Sequence, residues 1–423
     1  MKRNSSSQSA YFEILAKINT MEAKVGVIGV GYVGKALTES LVSSGFKTFG
    51  YDTNREKLLE IDHEFFRSTN SVLELEECDV VCICVPTPVD EFGKPDLSFL
   101  INASRDVSKL NSRKKLTIVE STVAPGTLKN LVLPIFVENG KTLGTDFLLA
   151  TSPERVDPGN KVFNIKNTPK VVGGVDKEST LLASLFYSKF VERVVPTTSA
   201  EVAELSKMFE NTFRLVNISL VNEIKEYAEN IGVNMWEVID AAATKPFAFL
   251  PHYPGPGVGG HCIPVDPVYL LEDAKKRNLE LKILESSIMQ NNSQPKKVLQ
   301  KAKEVLNGHS KGVSPKIMVI GISYKPNIKD TRESAGVKIL EEAEKEGFEV
   351  SYHDPHVPKL NGYTSKAFTS EEINQHDVIV IATDHKDIPY EILTKINKPI
   401  IDTRNVMSKY YSSEVLRVEE EYS

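Results

Sequence analysis

The feature that most constrains the fold is a glycine-rich turn between a short apolar strand and a helix. Residues 24–28 are apolar enough for a buried parallel strand, the turn 29–34 follows at once, and residues 35–43 have a helical pattern. A second predicted strand, 47–51, ends at Asp52. This order of strand, glycine turn, helix, strand and acid is typical of a sheet that binds a dinucleotide.

Each position of the turn has a predicted role. Gly29 allows the sharp turn, Gly31 lets the backbone approach a pyrophosphate, and Gly34 lets the helix pack against the strand. Asp52 is expected to accept hydrogen bonds from ribose hydroxyls and to repel a 2′-phosphate, which favours NAD over NADP. The predicted cofactor contacts here are Gly29, Val30, Gly31, Tyr32, Val33, Gly34, Asp52 and Lys57, for which an ordinary solvated lysine is the alternative.

Length and composition limit the class of protein. The chain has 423 residues, of which 41% are hydrophobic and 26% charged, and its net charge is −6. These values predict a globular protein of two or three domains. The acidic balance argues against a nucleic-acid binder, which needs a basic face. We find no apolar run of about 18 residues and no secretory leader, so no membrane span is expected.

The four cysteines fall into two groups. Cys78, Cys82 and Cys84 lie in or beside one apolar run, and their spacing fits no zinc pattern. We therefore predict three core thiols, no metal site and a reducing, cytoplasmic location. Cys262 is different, because it stands in a loop of unusual composition.

The alternation of strands and helices continues after the first two strands. Predicted strands at 79–85, 116–120 and 147–150 each end in a loop rich in Thr, Ser and Pro. Ligands lie outside the carboxyl ends of the strands in open parallel sheets, so these loops are expected to meet at the cofactor. Thr87 and Thr122 are therefore candidate cofactor contacts.

A long helix is predicted over 199–231, with apolar residues on much of its surface. We expect such a helix to be buried on several sides, to bridge two domains and to pair with its copy in a homodimer. Lys207 and Asn211 are four residues apart and lie on one face. A snorkelling lysine beside an ordinary asparagine is the alternative.

The second unusual stretch is 254–267, in which four glycines and two prolines precede Cys262. A loop of this kind is costly to order, so we interpret it as a ligand site beside a reactive thiol. A tight turn with an inert, buried cysteine is the alternative.

A second α/β unit follows a linker-like segment at 307–312, with predicted strands at 316–320, 349–352, 378–382 and 399–401. It has no complete GxGxxG, but its first loop, 321–332, carries three cations before a helix start and is a candidate phosphate site. The predicted fold class is α/β, with two Rossmann-like doubly wound domains joined by a long central helix and a small helical domain. The predicted boundaries are 1–23 for an N-terminal extension, 24–200 for the NAD-binding domain, 201–306 for the helical domain with the cysteine loop, and 313–423 for a second Rossmann-like domain.

Together these motifs resemble the UDP-glucose/GDP-mannose dehydrogenases, a family of NAD-dependent nucleotide-sugar 6-dehydrogenases. The resemblance extends from about residue 24 to about residue 404. The glycine turn is generic, whereas four motifs are specific and occur in family order. They are Ser-Pro-Glu-Arg at 152–155, Lys207 with Asn211, Gly-Gly-His-Cys-Ile-Pro-Val-Asp at 259–266, and the 324–334 loop.

The resemblance implies that an alcohol is oxidised to a carboxylate with two NAD and one water, by way of a thioester on Cys262. Lys207 and Asn211 would hold the C6 oxygen and stabilise its developing charge. Glu154 and Asp266 would activate water and move protons, and Thr122 would help to position that water.

Binding residues are implied in the same way. The resemblance places the nucleotide sugar on segments 154–158 and 251–255, and it places Arg332 at the cofactor. The substrate contacts that it implies are Glu154, Arg155, Val156, Lys207, Asn211, Tyr253, Gly255, Gly259 and Lys325. The central helix would form a homodimer. No nucleic-acid partner and no membrane partner are expected.

One departure from the family pattern concerns the sugar. Members acting on UDP-glucose or GDP-mannose usually carry a lysine three residues after the cysteine, where this chain has Val265. Segments 154–159 and 254–257 are more similar to the branch acting on UDP-N-acetylhexosamines. Within that branch the sequence favours UDP-N-acetylglucosamine, as a precursor for polysaccharide or glycan synthesis, with UDP-N-acetylmannosamine and UDP-glucose as alternatives.

Two other classes of function remain open. A two-electron NAD dehydrogenase would share the first domain and the helical bridge but would not need a loop cysteine. A non-catalytic nucleotide-sugar-binding protein would keep the fold without turnover. The joint presence of Cys262, Lys207, Asn211, Glu154 and Asp266 argues against it.

Overall fold

The computed structural model describes residues 10–90, 94–111, 114–156, 160, 162–306 and 314–410. The predicted linker at 307–312 and residues 157–159 of the Glu154 loop lie outside the described residues. The chain divides into two compact units, Met1–Asn211 with Val265–Glu280 and Thr212–Pro264 with Leu281–Ser423. Each unit contains its own open sheet of mainly parallel strands.

The sheet of the first unit has eight strands in the order β3-β2-β1-β4-β5-β6-β7-β8. Neighbouring strands are parallel except for β6 and β7, which are antiparallel. The chain reverses its direction of winding between β1 and β4, which is where open α/β sheets bind ligands. The strands are β1 Val25–Ile28, β2 Thr48–Tyr51, β3 Phe66–Ser68, β4 Val80–Ile83, β5 Lys115–Val119, β6 Phe147–Thr151, β7 Lys170–Gly174 and β8 Val194–Pro196.

Helices cover both faces of this sheet, because the strands are apolar on both sides. One face, with Val25 and Val27, packs against α1, α2 and α5. The other, with Val81 and Ile83, packs against α3 and α4. The helices are α1 Ala10–Asn19, α2 Tyr32–Ser43, α3 Ser98–Ser108, α4 Leu133–Glu138 and α5 Lys177–Tyr187, with 3₁₀ turns at Arg55–Glu60 and Val72–Glu77 and a π turn at Leu128–Val132.

The predicted N-terminal extension contributes α1 to this core. Ala10, Ile14 and Ile18 have no exposed surface, as expected for one apolar face repeating every three to four residues. Lys17 also pairs with the carboxylate of Asp79 at 2.6 Å. Residues 10–19 are therefore an integral part of the first unit.

Lys115 begins β5 and is 1% exposed. Its amine donates hydrogen bonds to the carbonyl oxygens of Glu76 and Cys78, at 2.7 and 2.8 Å, and lies 3.4 Å from that of Leu75. Burial lowers the pKa of Lys115 to about 8. Lys115 thus donates to carbonyl oxygens at the end of the 3₁₀ turn Val72–Glu77, whose own last turn contains no basic residue.

Four helices follow the first sheet: α6 Ala200–Asn230, α7 Met235–Ala243, α8 Asp266–Lys276 and α9 Lys282–Leu306. The long helix is where it was predicted, but burial on several sides is not observed within the chain. From Phe213 onward it presents an apolar stripe to the surface, which ends just after the helix, and the exposed residues are Phe213, Leu220, Ile224, Tyr227 and Ile231.

The sheet of the second unit has four parallel strands in the order β10-β9-β13-β14. Ile317 and Val319 face α9 and α10, whereas Met318 and Ile320 face the segment that follows β13. The elements are β9 Lys316–Ile320, α10 Ala335–Lys345, β10 Glu349–His353, a hairpin of β11 Lys359–Leu360 and β12 Tyr363–Thr364, α11 Ser370–Ile373, β13 Val378–Ile381 and β14 Ile400–Asp402, with 3₁₀ turns at Tyr390–Lys395 and Val406–Lys409. The predicted class of two doubly wound α/β sheets with a long helix is confirmed.

Candidate active site

The first glycine turn has the geometry that a dinucleotide site requires. Gly29 has a φ of 85°, and a Cβ there would lie 2.6 Å from the carbonyl oxygen of Cys84. A Cβ on Gly34 would lie 1.9 Å from the carbonyl oxygen of Gly29. Both contacts involve backbone that cannot move aside, so only glycine fits at these two positions.

The N-terminus of α2 suits a phosphate. Gly31 occupies the N-cap position without a side-chain hydrogen bond to the helix, and the first turn contains no acid. A Cβ on Gly31 would meet only the Lys57 amine, at 3.8 Å. The open space at Gly31 and the amides of the uncapped helix start fit the pyrophosphate of NAD.

Asp52 is fixed beside this turn. Its carboxylate accepts hydrogen bonds from the amides of Val30 and Asn54, both at 2.8 Å, and lies 3.5 Å from the Lys57 amine. Lys57 therefore has a charged partner, although its side chain is 43% exposed. A carboxylate has about four acceptor positions, so Asp52 keeps room for a ribose hydroxyl.

The loops after β4 and β5 are joined by hydrogen bonds. The hydroxyl of Thr87 donates to the carbonyl oxygen of Thr122 at 2.9 Å, and the hydroxyl of Tyr269 donates to that of Pro88 at 2.9 Å. The predicted neighbourhood of Thr87 and Thr122 is thus observed at the edge of the sheet where the winding reverses.

Glu204 of α6 holds the same region and was missed in the sequence. It has no exposed surface, and its carboxylate accepts from the amides of Gly126 and Leu128 at 2.6 and 2.9 Å. Burial raises the pKa of Glu204 to about 7, against the effect of these two amides. Its position three residues before Lys207, on one helix face, was the available signal.

Lys207, Asn211 and Asp266 form the first predicted catalytic group. The side-chain amide of Asn211 donates to the Asp266 carboxylate at 2.5 Å, and α8 begins at Asp266. Burial raises the pKa of Asp266 to about 7, although the charge of Lys207 and the Asn211 hydrogen bond act in the opposite direction. A carboxyl group that gains and loses a proton near neutral pH can serve in proton transfer.

Glu154 belongs to a buried charge network. The Lys170 amine lies 2.7 Å from Glu154 and 2.6 Å from Glu120, and Tyr187 donates its hydroxyl proton to Glu120. Burial raises the pKa of Glu120, whereas Lys170 and the amides of residues 155 and 156 outweigh burial and lower that of Glu154. Glu154 is therefore held as a carboxylate.

The partners of Glu154 were not predicted, because a lysine that opens an apolar strand is normally assigned to the surface. Arg155 is also fixed. Its guanidinium pairs with Glu210 at 2.7 Å and donates to the carbonyl oxygen of Pro169 at 2.8 Å.

In the second unit, the cysteine loop packs directly against the loop that follows β9. The amide of Gly260 donates to the carbonyl oxygen of Arg332 at 3.0 Å. A Cβ on Gly259 would lie 2.6 Å from the carbonyl oxygen of Glu333, and one on Gly260 would lie 2.8 Å from the ring of Tyr324. The two glycines are therefore needed for the close approach of these two loops.

Cys262 is exposed at the end of this glycine run, which contradicts the alternative of an inert, buried thiol. Arg332 is close enough to interact with it electrostatically. Hydrogen bonds from Arg332 to Asp330 are the main cause that raises the pKa of Arg332, and the charge of Cys262 adds to it. The guanidinium lies 2.6 Å from the Asp330 carboxylate.

Two asparagines hold the rest of the cysteine loop. Asn222 accepts from the amide of Gly255 at 2.9 Å, and Asn291 accepts from that of Val258 at 2.7 Å. Tyr253 donates its hydroxyl to Asp240 at 2.9 Å. Glycine at 255 leaves space for Arg404, whose guanidinium would lie 2.7 Å from a Cβ there.

The predicted site residues thus form several local groups. The first unit contains the glycine turn, the two threonines, Glu154 and the Lys207 group, and the second unit contains Cys262 with its loop and Lys325. Among the described residues, no three His, Cys, Asp or Glu side chains are arranged to hold a metal ion. Within the same residues, every helix is too short or too polar to cross a membrane.

Comparison with protein families gives matches to three successive domains of the UDP-glucose/GDP-mannose dehydrogenase family. The NAD binding domain matches residues 60–191, the central domain matches 201–293 and the UDP binding domain matches 318–409. The NAD binding domain of D-isomer specific 2-hydroxyacid dehydrogenases also matches, over residues 4–93. This last match includes the glycine turn and Asp52.

Similar proteins extend over nearly the same length. The UDP-N-acetyl-D-mannosamine dehydrogenase of Methanocaldococcus jannaschii is 33% identical over 92% of this chain and 94% of its own. The UDP-N-acetyl-D-glucosamine 6-dehydrogenase of Pseudomonas aeruginosa is 31% identical over 89% of this chain and 94% of its own. The structure of the UDP-D-ManNAc dehydrogenase of Pyrococcus horikoshii has a TM-score of 0.82 and 33% identity, and covers 90% of this chain and 95% of that one.

The matches follow the chain in the order that its motifs predict. The first unit carries the NAD turn, and the second carries the loop that contacts the cysteine turn. The protein uses NAD, is an oxidoreductase, and belongs to the UDP-glucose/GDP-mannose dehydrogenase family.

Proposed function

We propose that the protein oxidises the C6 hydroxyl of a UDP-N-acetylhexosamine to the uronic acid, in the cytoplasm, for polysaccharide or glycan precursor synthesis. The observation that carries the proposal is the contact of the Gly259-Gly260 backbone with the loop that includes Tyr324 and Arg332. That loop lies in the part of the chain that matches a UDP binding domain. The exposed thiol of Cys262 is two residues further along.

The reaction removes four electrons in two steps. NAD, when bound, accepts a hydride in each step. In the first step the alcohol becomes an aldehyde, to which the Cys262 sulfur adds as a thiohemiacetal. In the second step loss of hydride gives a thioester, and water then cleaves its carbon–sulfur bond, which releases the carboxylate and restores the thiol. One sugar thus consumes two NAD and one water.

Lys207 and Asn211 are proposed to hold the C6 oxygen. A lysine cation and a side-chain amide on one helix face suit an oxygen on which negative charge develops. Asp266 is proposed to take and return protons, since its pKa of about 7 allows both at neutral pH.

Glu154 is proposed to orient the attacking water together with Thr122. Because Lys170 keeps Glu154 charged, it is suited to accept hydrogen bonds rather than to donate a proton. It is therefore a weaker base than Asp266.

NAD is proposed to bind along the first glycine turn, with its pyrophosphate at the start of α2 and a ribose on Asp52. Thr87, Thr122 and Arg332 are proposed as further cofactor contacts. UDP-sugar contacts are proposed for Glu154, Arg155, Val156, Lys207, Asn211, Tyr253, Gly255, Gly259 and Lys325.

Two epimers are candidates for the sugar. The Gly-Pro-Gly and Ile-Pro-Val-Asp-Pro motifs favour UDP-N-acetylglucosamine, and the Pseudomonas relative carries that name. The Methanocaldococcus relative and the Pyrococcus structure are named for the manno epimer, which supports UDP-N-acetylmannosamine as the second candidate.

A panel of UDP-sugars tests the function. The full chain is incubated with NAD and UDP-N-acetylglucosamine, UDP-N-acetylmannosamine or UDP-glucose, and NADH is followed by absorbance. We expect an acetamido sugar to be oxidised with about two NADH per sugar, as a stepwise aldehyde-to-acid oxidation requires. A ratio near one indicates a two-electron enzyme, and no NADH with any sugar indicates a binding protein.

Cys262→Ala tests the covalent route. We expect it to abolish uronic acid formation while NAD binding is unchanged, since the thiol is needed only after the aldehyde forms. Cys82→Ala is the matched control, because that thiol is fully buried in the first sheet. A Cys262→Ala variant that still releases acid rules out the thioester.

The apolar stripe from Phe213 to Ile231, along α6 and just past its end, supports a homodimer. Leu220, Tyr227 and Ile231 are 53%, 64% and 53% exposed, which is unusual for a row of large side chains in a monomer. Leu220→Asp combined with Ile224→Asp is expected to give monomers in light scattering. A monomeric wild type would refute this assembly.

A further inference from the structure

The carboxylate of Asp354, just after β10, organises the turn that follows β9. It is 1% exposed. One oxygen accepts from the amides of Ile322 and Ser323 at 2.8 and 3.0 Å, and the other accepts from those of His356 and Val357 at 2.8 and 3.1 Å. Four backbone amides therefore converge on one buried acid.

His385, just after β13, adds a fifth partner and reaches further along the loop. Its Nδ1 accepts from the amide of Asn327 at 3.0 Å. Because a backbone amide can only donate, Nδ1 carries no proton, and the single ring proton is on Nε2. Nε2 lies 3.0 Å from the Asp354 carboxylate and 3.2 Å from the Ser323 hydroxyl, so the imidazole is neutral and fully used.

The segment between these anchors contains Lys325. The Ser323 hydroxyl donates to the carbonyl oxygen of Lys325 at 3.0 Å. The carbonyl oxygen of Ser323 accepts from the Thr383 hydroxyl at 2.6 Å. Asn327 has a φ of 62° and accepts from the amide of Lys386 at 2.8 Å. The backbone on both sides of Lys325 is thus fixed by the loop after β13.

We propose that His385 is a positioning residue for binding of the nucleotide sugar. By holding the amide of Asn327 and the carboxylate of Asp354, His385 presents Lys325 to the diphosphate. This rests on the proposed function, which assigns Lys325 to the UDP-sugar. His385 is 1% exposed, so it is too deeply buried to contact the sugar nucleotide directly. It acts through preorganisation, since a loop that is already ordered loses less entropy when the ligand binds.

The charge of the imidazole is not part of this role. A neutral ring adds no positive potential for phosphate, so what matters is one acceptor facing Asn327 and one donor facing Asp354. An asparagine at 385 can place its side-chain oxygen near the position of Nδ1 and keep the first of these hydrogen bonds. Phenylalanine keeps the ring volume but neither hydrogen bond.

The test measures UDP binding to the full chain by titration calorimetry, with UDP itself as the probe. We expect His385→Phe to weaken UDP binding by about tenfold or more, and His385→Asn to restore most of the affinity, to within about threefold of wild type. In turnover, the KM for the UDP-sugar should rise with little change in kcat, and the NAD dissociation constant should stay the same.

His376→Phe is the matched control. His376 is also buried in the second unit, at 5% exposure, and its ring hydrogen-bonds to Ser351 and to the carbonyl oxygen of Glu372 rather than to the loop. It should lower the melting temperature without changing UDP affinity. Equal losses of UDP affinity in His376→Phe and His385→Phe would overturn the proposal, because a general loss of stability would then explain both.

Other outcomes distinguish a failure of this inference from a failure of the proposed function. If His385→Phe folds and binds UDP as tightly as wild type, the positioning role is wrong while the dehydrogenase stands. If His385→Phe fails to fold, His385→Asn alone decides, since wild-type-like UDP affinity supports the role and a loss as large as that of Lys325→Ala contradicts it. If the wild-type protein does not bind UDP, the proposed function itself fails.

Discussion

The two glycine turns of the molecule, one after β1 and one after β9, begin in the same way. Gly29 and Gly321 have φ values of 85° and 78°, and the amide of each donates to a carbonyl oxygen at the end of the neighbouring strand at 2.8 Å. In each, the amide that comes after the glycine donates to a buried acid, Asp52 or Asp354, at 2.8 Å. The same local solution therefore occurs in both units.

The turns differ in the length and capping of the segment that leads into the helix. Two residues separate Gly29 from α2, whereas thirteen separate Gly321 from α10. The N-cap Gly31 makes no side-chain hydrogen bond, but Ser334 caps α10 by accepting from Gly336. The first helix start therefore has no side-chain cap, whereas one amide of the second is capped by a serine of its own chain. The proposed UDP site of the second unit is therefore expected to use the long loop rather than the start of α10.

The two acids beside these turns differ in how many of their acceptor positions are already used. Asp52 has two amide donors and one lysine, which leaves it able to bind a ribose. Asp354 has four amide donors and His385, which exhausts its acceptor positions. Asp52 thus keeps acceptor positions open for the proposed ribose contact, whereas Asp354 is used up by its own loop.

The largest effect is expected from alanine at the two helix-packing glycines. Gly34→Ala places a Cβ 1.9 Å from the carbonyl oxygen of Gly29, and Gly336→Ala places one 2.6 Å from that of Gly321. We expect Gly34→Ala to lose more than about 3 kcal/mol of stability and all measurable NAD binding, and Gly336→Ala to lose about 1–3 kcal/mol. Denaturant unfolding and NAD titration measure both. Equal losses would show that the first turn is not packed more tightly than the second.

The next effect concerns Asp354, which we compare with Asp52. Asp354→Asn leaves buried amides facing a side-chain NH₂, and we expect it to lower the free energy of unfolding at pH 7 by about 2–4 kcal/mol. Hydrogen bonds from His385 and the amides outweigh burial and lower the pKa of Asp354. Its stabilisation is therefore present above the unfolded pKa of about 3.9 and is lost as the pH falls through the lower folded value.

Acid unfolding of wild type and of Asp354→Asn tests this pH dependence of stability. Wild type should lose stability below about pH 4 more steeply than Asp354→Asn. A variant with an unchanged acid transition would mean that Asp354 is not the organising acid of its turn.

Asp52→Asn should affect NAD binding more than it affects stability, the opposite of Asp354→Asn. We expect a loss of about 1 kcal/mol in stability, because fewer hydrogen bonds depend on its charge. NAD affinity should fall by about tenfold, and the preference for NAD over NADP should largely disappear. Dissociation constants for both cofactors provide the measurement. An Asp52→Asn variant that is as unstable as Asp354→Asn would remove the distinction between the two acids.

The smallest effects are expected at the helix caps. Ser334→Ala should cost about 1 kcal/mol of stability and leave NAD affinity unchanged. Gly31→Ser should keep or slightly raise the melting temperature, because a Cβ there has space and serine is a good N-cap, yet it should weaken NAD binding. Unaltered NAD binding in Gly31→Ser would argue against pyrophosphate at the start of α2.

Patterns along the chain predicted the strands and helices whose apolar period is strong, such as β1, α6 and β9. They missed β3 and β8, which are three residues long, and β7, which begins with Lys170. Short strands with a charged residue have little periodicity, and only pairing with a neighbouring strand identifies them.

Site residues that share one helix or one turn were predictable by spacing, as for Lys207 with Asn211. The contact of Asn211 with Asp266 connects residues 55 apart, and no local pattern specifies such a distance. Asp354 was missed although a signal existed, since it follows a predicted strand in the second unit much as Asp52 does in the first. The cost of leaving buried amides unpaired selects an acid in both places.

The buried amine of Lys115 has a practical consequence. Burial holds the pKa of this amine at about 8, and the ordinary, higher lysine pKa returns only when the amine meets water and acylating reagents. With 1% exposure and its protons donated to carbonyl oxygens, it is shielded until β5 separates from the turn beside it. Its labelling rate, read by mass spectrometry, would therefore report how often the first sheet opens.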